Sequence, residues 1–143
     1  MLAKYFIKNN HDQNSGCGKY LNYPDLGLLL IRIGLASVFI VHGWSKIQNL
    51  DQVLGFFESM GLGIFWVFLV AYSEFLGGIL MLAGVFVRQV GIVFAIIMIF
   101  SIALVKAAKG FYGGYEFELF LLLVSLSVTL IGSGKYAINC RKQ

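Results

Sequence analysis

Charge is what this sequence has least of. Lys, Arg, Asp and Glu make up 13% of its 143 residues, against roughly 25% in a soluble domain, and they are clustered. No charge falls from Gln89 to Val105 or from Leu119 to Gly134, and only Glu74 interrupts the stretch from Ser59 to Val87. Four apolar helices with almost no polar face leave nothing to turn toward water, which excludes a soluble bundle. Cysteine is nearly absent as well. Cys17 and Cys140 are not spaced as a metal motif. There is no P-loop, no nucleophile–base pair of recognisable spacing and no metal or haem signature, and nothing points to a nucleic-acid partner. The opening stretch "MLAKYFIKNNHDQNSGCGKYLNYPD" has no apolar core followed by a small-residue cleavage site. No cleavable signal peptide is expected, and the first span itself directs insertion.

What is present is apolar: 59% of residues are hydrophobic and 15% aromatic. A bilayer core requires about 20 mostly apolar residues per helix. The pattern predicts four spans, at residues 25–47, 64–86, 89–106 and 117–133. The single proline, Pro24, stands before the first, with Asp25 near the positive end of the helix dipole. Between the first two spans, "DQVLGFFESM" (51–60) repeats apolar residues at helical spacing beside polar ones, as a short helix lying in the membrane interface would. The expected fold is an all-α membrane protein, a four-transmembrane-helix antiparallel bundle with that interfacial helix between its first two spans. The expected organisation is a polar cytoplasmic segment (1–24), a membrane domain (25–136) and a short basic tail (137–143).

Orientation follows from Lys and Arg counts. Lys4, Lys8, Lys19, Arg88, Lys135, Arg141 and Lys142 fall on the side of the termini, against Lys46, Lys106 and Lys109 on the other. Both termini are therefore expected in the cytoplasm, where the two cysteines would meet a reducing medium unsuited to a structural disulfide.

Past Asp25, four residues that are charged or titrate near neutral pH fall within the first two spans: Arg32, His42, Lys46 and Glu74. An arginine at mid-helix costs about 2.5–3.5 kcal/mol on insertion scales. Arg32 lies roughly 10 Å into its span from the cytoplasmic start and Glu74 roughly 18 Å from the cytoplasmic end of the second, taking helical rise per residue. Arg32 alone could snorkel to the headgroups. Glu74 is too short to do so and must pair, take a proton or face water. The expectation is an Arg32–Glu74 pair in the bundle interior, serving either as a structural fastener or as the floor of a polar site. Arg32, His42 and Lys46 share an arc of roughly 80° on the first helix. Lys46 by itself reads as an interfacial anchor, and His42 as a hydrogen-bonded structural histidine or a proton carrier. At the far end of the bundle, Lys106, Lys109, Tyr112, Tyr115, Glu116 and Glu118 gather. The two glutamates also complement a helix dipole. Together these suggest an outward pocket formed by His42, Lys46, Lys106, Tyr115 and Glu116 above the Arg32–Glu74 pair.

The stretches "LLLIRIGLASVFIVHGWSKI", "FFESMGL", "AYSEFLGGILMLAGVFVR" and "GFYGGYEFELFLLLVSLSVTLIGSGKYAI" resemble the DoxX family of small four-helix membrane proteins. The resemblance covers nearly everything after Pro24. Its landmarks are the arginine followed by His-Gly and Lys, the Glu-x-x-Gly-Gly of the second helix, and the closing Gly-x-Gly-Lys-Tyr. Family members include membrane subunits of oxidoreductase systems, such as an archaeal thiosulfate:quinone oxidoreductase and a mycobacterial redox-stress complex. Others are associated with maturation of copper-binding peptides. The resemblance implies a multi-pass protein of the bacterial cytoplasmic (inner) membrane, with Arg32, His42, Lys46 and Glu74 as family-matching polar positions. The first functional expectation is a subunit or accessory of a quinone- or thiol-linked redox system, with a protein partner or a homo-oligomer. It has no intrinsic cofactor, and quinone is its candidate ligand. Without a flavin, haem or metal motif, electrons would come from a partner or the substrate, so a non-catalytic subunit fits better than a stand-alone enzyme. The alternatives are a small oligomeric transporter or permeation subunit, and a membrane anchor or assembly factor whose ion pair is purely structural.

Overall fold

The computed structural model describes residues 24–138. The expected polar N-terminal segment, both cysteines and the basic residues Lys4, Lys8, Lys19, Arg141 and Lys142 lie outside the described residues. Helix α1 runs from Pro24 to Gln48, with Asp25 in its first turn and Lys46 in its last, each complementing the local dipole. A short helix α2 (Leu50–Ser59) leads into α3 (Ile64–Ala83), and α4 (Val87–Ser101) follows a tight turn. Beyond Ser101 the chain widens into a π turn (Ile102–Lys106) and tightens into a 3₁₀ turn (Ala107–Lys109). A turn over Phe111–Tyr115, with Tyr112 extended and Gly113 at φ +68°, then opens α5 (Glu116–Ile131). Among the described residues, four stretches are long and apolar enough to cross a membrane: Pro24–Gln48, Ile64–Ala83, Val87–Lys109 and Phe111–Ile131. The protein is an all-helical membrane protein, and α2 occupies the position expected of the interfacial helix.

The second span stops three residues short of the expected boundary, and the reason is local. Gly84 takes φ +77°, its N–H bonds Met81 O at 3.2 Å, and the Val85 N–H reaches back to Leu80 O at 2.9 Å. This left-handed cap closes the helix at Ala83. Phe86, also left-handed at φ 51°, turns the chain directly into α4.

In lipid, tails are as apolar as leucine, so helices associate through close packing, which small residues permit. Helix α1 packs most extensively on α3, and the contact is made by glycines. A Cβ on Gly43 would fall 2.5 Å from Phe75 N and 2.8 Å from Ala71 O, and one on Gly78 would fall 3.0 Å from Ile40 N. These approaches set the register, placing Gly43 level with Ala71–Phe75 and Gly78 level with Ala36–Ile40. Helices α4 and α5 form the second close pair, with Gly91 set against Ser125 O at 3.0 Å from where its Cβ would stand. The pairs lock where Phe94, accommodated by Gly77, stacks on Phe39 with ring centroids 3.6 Å apart and planes 6° off parallel. Around this stack lie Leu35, Ala36, Met81, Leu121 and Val128. The outer surface carries large apolar side chains, among them Leu30, Phe65, Phe100 and Leu130, as a lipid-facing surface requires.

After α5 the chain folds back beneath the bundle. The Lys135 N–H donates to Asp25 Oδ1 at 3.1 Å and the Ile138 N–H to Ala83 O at 3.2 Å. The start of α1, the end of α3 and the end of α5 therefore share one end of the bundle.

Because backbone atoms confront Gly43 and Gly78, their neighbours have no room to relax. Gly43→Leu or Gly78→Leu is expected to abolish a monodisperse, cooperatively unfolding protein in detergent. Gly34→Leu, at a position where an added Cβ meets nothing within 4 Å, should keep the wild-type elution profile and lose little thermal stability.

Candidate functional site

Register decides which charges meet. With Gly43 level with Ala71–Phe75, Glu74 sits beside His42 and one turn from Lys46, about 15 Å above Arg32 by helical rise. The expected Arg32–Glu74 pair does not form. It assumed that α1 and α3 start and end level, and the glycine-set stagger roughly doubles the separation that follows from that assumption. Glu74, 2% exposed, accepts instead from Lys46 Nζ across the α1–α3 interface.

Arg32, 1% exposed, uses its guanidinium on backbone. Nε donates to Met81 O at 3.1 Å and Nη2 to Leu82 O at 3.0 Å, both at the C-terminal end of α3. Nη1 donates to Ser133 O at 2.9 Å and Tyr136 O at 3.0 Å in the returning tail. A helix C-terminus presents carbonyls with no intrahelical donor and carries the negative end of the dipole. In a membrane such groups must be satisfied within the protein. Arg32 does this for two chain segments at once, and its planar fork is suited to it. A Cβ on Gly84 would strike this guanidinium and Ala137, so the glycine serves both the turn and the arginine.

At the opposite end a cavity of about 740 Å³ lies among helices α1 to α5. His42 and Lys46 come from α1, Trp66 and Glu74 from α3, Ser101 from the end of α4, Lys106 from the π turn beyond it, and Glu118 from α5, with Phe56 and Phe57 of α2 over them. Most of the remaining lining is aliphatic or aromatic. A second ion pair, Lys106 Nζ to Glu118 at 3.4 Å, stands in the same lining. The π turn makes it possible. In a regular α-helix Lys106 would lie about 140° around from Ser101, whereas a π turn closes over five residues and brings it back above Ser101 on the cavity side. The Oε2 atom of Glu118 is buried and has no hydrogen-bond partner.

Of the expected pocket residues, the cavity brings together His42, Lys46 and Lys106, with Glu74. Tyr115 and Glu116 are outside its lining. Tyr115 packs edge-on against Phe111 at 5.6 Å, and Glu116 accepts from the Gly113 N–H at 3.2 Å, bracing the turn. His42 faces Phe117 with ring centroids 6.5 Å apart. Glu118, grouped by the sequence with the outer polar residues but left out of the expected pocket, lines the cavity. Its signal was present: Glu118, Leu121, Ser125 and Val128 form one helical stripe whose last three members are buried, while Glu116 is on the other side. Among the described residues no group of three His, Cys, Asp or Glu is arranged to hold a metal ion.

The family model described as DoxX matches residues 27–107. "Putative oxidoreductase CatD" of Bacillus subtilis is 38% identical over 115 residues, covering 80% of this chain and 86% of that protein. "Inner membrane protein YqjF" of Escherichia coli is 28% identical over 120 residues, covering 80% and 91% respectively. No solved structure matches.

Removing one partner of a buried ion pair strands the other, at about 3–5 kcal/mol, whereas removing both is near neutral. Lys46→Met and Glu74→Leu alone should each lower thermal stability markedly, and the double variant should recover most of it. Arg32→Met should destabilise the fold, and Arg32→Lys should not rescue it, because an ammonium cannot span four carbonyls in fixed directions. Differential scanning fluorimetry of the five proteins in one detergent checks both statements.

Proposed function

The chain belongs to the DoxX family, and on that premise we propose that its cavity is the working site of a membrane redox subunit that exchanges a quinone for its quinol. The observation that carries this reading is the pair of lysine–glutamate contacts in one mostly apolar cavity, with one carboxylate oxygen of Glu118 lacking a donor. Such a site, apolar with a few convergent polar groups, suits a small organic molecule. Each ammonium has three N–H donors; Lys46 gives one to Glu74, and Lys106 stands in ion-pair contact with Glu118 at 3.4 Å. The others are available to the carbonyl oxygens of an oxidised ring, with His42 as a further donor. A reduced ring carries hydroxyls instead, and these would donate to Glu74 and to the free oxygen of Glu118.

The balance is a quinone taking two electrons and two protons to become a quinol. Glu74, Glu118 and His42 are groups able to pass those protons. The electrons are exchanged with a partner dehydrogenase or reductase. A relative at 38% identity named an oxidoreductase supports the redox assignment, and a relative named an inner membrane protein supports the location. With both termini in the cytoplasm, as the Lys and Arg distribution favours, the cavity faces the outer leaflet. Arg32 has no part in the chemistry on this reading and fastens the cytoplasmic end.

The test is mild extraction from the native membrane, followed by quinone analysis of the organic extract and identification of co-purifying proteins. Wild-type protein should carry quinone and a redox partner. Glu118→Gln, which keeps the shape and removes the charge, should reduce bound quinone by about tenfold, the order expected for losing a hydrogen bond to a charged group. A quinone-free homo-oligomer that supports solute flux in liposomes would point to a permeation subunit. Absence of quinone, partner and flux, with Glu118→Gln and Glu74→Gln silent, would leave a membrane anchor or assembly factor.

A further inference from the structure

Resting on the cavity as the working site, we infer that its substrate enters sideways from the bilayer, between the outer halves of α3 and α4, and is therefore a neutral-headed amphiphile with a single apolar tail. The two helices touch closely at the level of Gly77, where an added Cβ would meet Phe94 at 2.8 Å. Toward the cavity end, Trp66 and Leu69 of α3 and Ile96 and Phe100 of α4 line the cavity, and each is 45–59% exposed. At these positions the wall between cavity and lipid is a single side chain thick, with no second layer of protein behind it, so rotation of these side chains suffices to open it. The inner wall is the reverse: Phe39, Glu74 and Met98 are all buried. The end of the bundle is covered by α2, whose Phe56 and Phe57 face the cavity, so the approach from that side is apolar too.

These features order the ligand. Its polar head lies inward, against the lysine–glutamate pairs, and its tail leaves through an apolar lip into the membrane. The head carries no net charge, because each lysine already has its glutamate, and an added phosphate or carboxylate would be a buried charge without a counter-charge. This favours a tailed quinone over a phospholipid or a water-soluble thiol.

The full-length protein in lipid nanodiscs tests this with two photoreactive probes. One is a benzoquinone bearing a ten-carbon tail with a terminal diazirine, and the other is the same ring with the diazirine and no tail. The tailed probe should label Leu69, Ile96 or Phe100 and compete with its unlabelled parent, and it should bind at least about tenfold more tightly than the tail-less ring, since each buried methylene adds to affinity. Leu69→Trp and Ile96→Trp thicken that wall from exposed positions, and two independent variants guard against a folding defect in either. Each should cut tailed-probe binding about tenfold more than it cuts binding of the tail-less ring. Label spread evenly over the lipid-facing surface, including Leu30 and Leu130, or equal affinity for the two probes, overturns lateral entry and leaves the cavity as a quinone site. Failure of both probes to label any cavity residue overturns lateral entry and the quinone reading together.

Discussion

The close approach of α1 and α3 through Gly43 and Gly78 is the constraint on which the other interactions depend. Backbone meets backbone there, so the two helices cannot slide, and their stagger fixes which charged side chain comes level with which carbonyl or carboxylate. Lys46 is brought within reach of Glu74, and Arg32 is carried to the end of α3. A shift of one helical turn would exchange satisfied partners for stranded charges, each costing several kcal/mol in a low-dielectric interior. Packing and electrostatics therefore select the same register.

The two ends of the bundle have different tasks. At one end Arg32, Gly84, Asp25 and the returning 133–138 segment tie off the exposed carbonyls of α3 and hold the tail against α1. This is a fastener: every donor nitrogen of the guanidinium faces a carbonyl. At the other end the helices separate above the Phe39–Phe94 stack and leave a space into which two lysines and two glutamates project. The π turn after Ser101 belongs to this end, because it gives Lys106 its place opposite Glu118.

Much of the fold was legible because its cause is local. Apolar runs of membrane length gave the four spans, and the amphipathic spacing of residues 51–60 gave α2. The site was legible in part. His42, Lys46 and Lys106 were recognisable as polar groups at the same end, and Glu74 as a residue in need of a partner. Its partner was misassigned because sequence spacing gives depth along one helix but says nothing of the stagger between two. That stagger resides in the glycines, which reveal close approach without revealing against which residue. Glu118 was left out of the expected pocket for a different reason: a carboxylate in a first turn has an adequate dipole explanation, and its alignment with Leu121, Ser125 and Val128 carries weight only once that stripe is known to be buried. The closing Gly-x-Gly-Lys-Tyr was visible as a landmark, but its function, offering carbonyls to an arginine about a hundred residues earlier in the chain, is not written in local pattern at all.

The account therefore turns on which residue neutralises Glu74, since this decides whether the polar groups form one central pair or a fastener and a separate cavity. Solid-state NMR in lipid bilayers, with ¹⁵N in the lysine and arginine side chains and ¹³C in the glutamate carboxylates, measures this directly. The account predicts strong dipolar dephasing between Lys46 Nζ and the Glu74 carboxylate, corresponding to a contact within about 4 Å, and none between Arg32 and Glu74. Dephasing of Glu74 by the Arg32 guanidinium, with Lys46 remote, would contradict it.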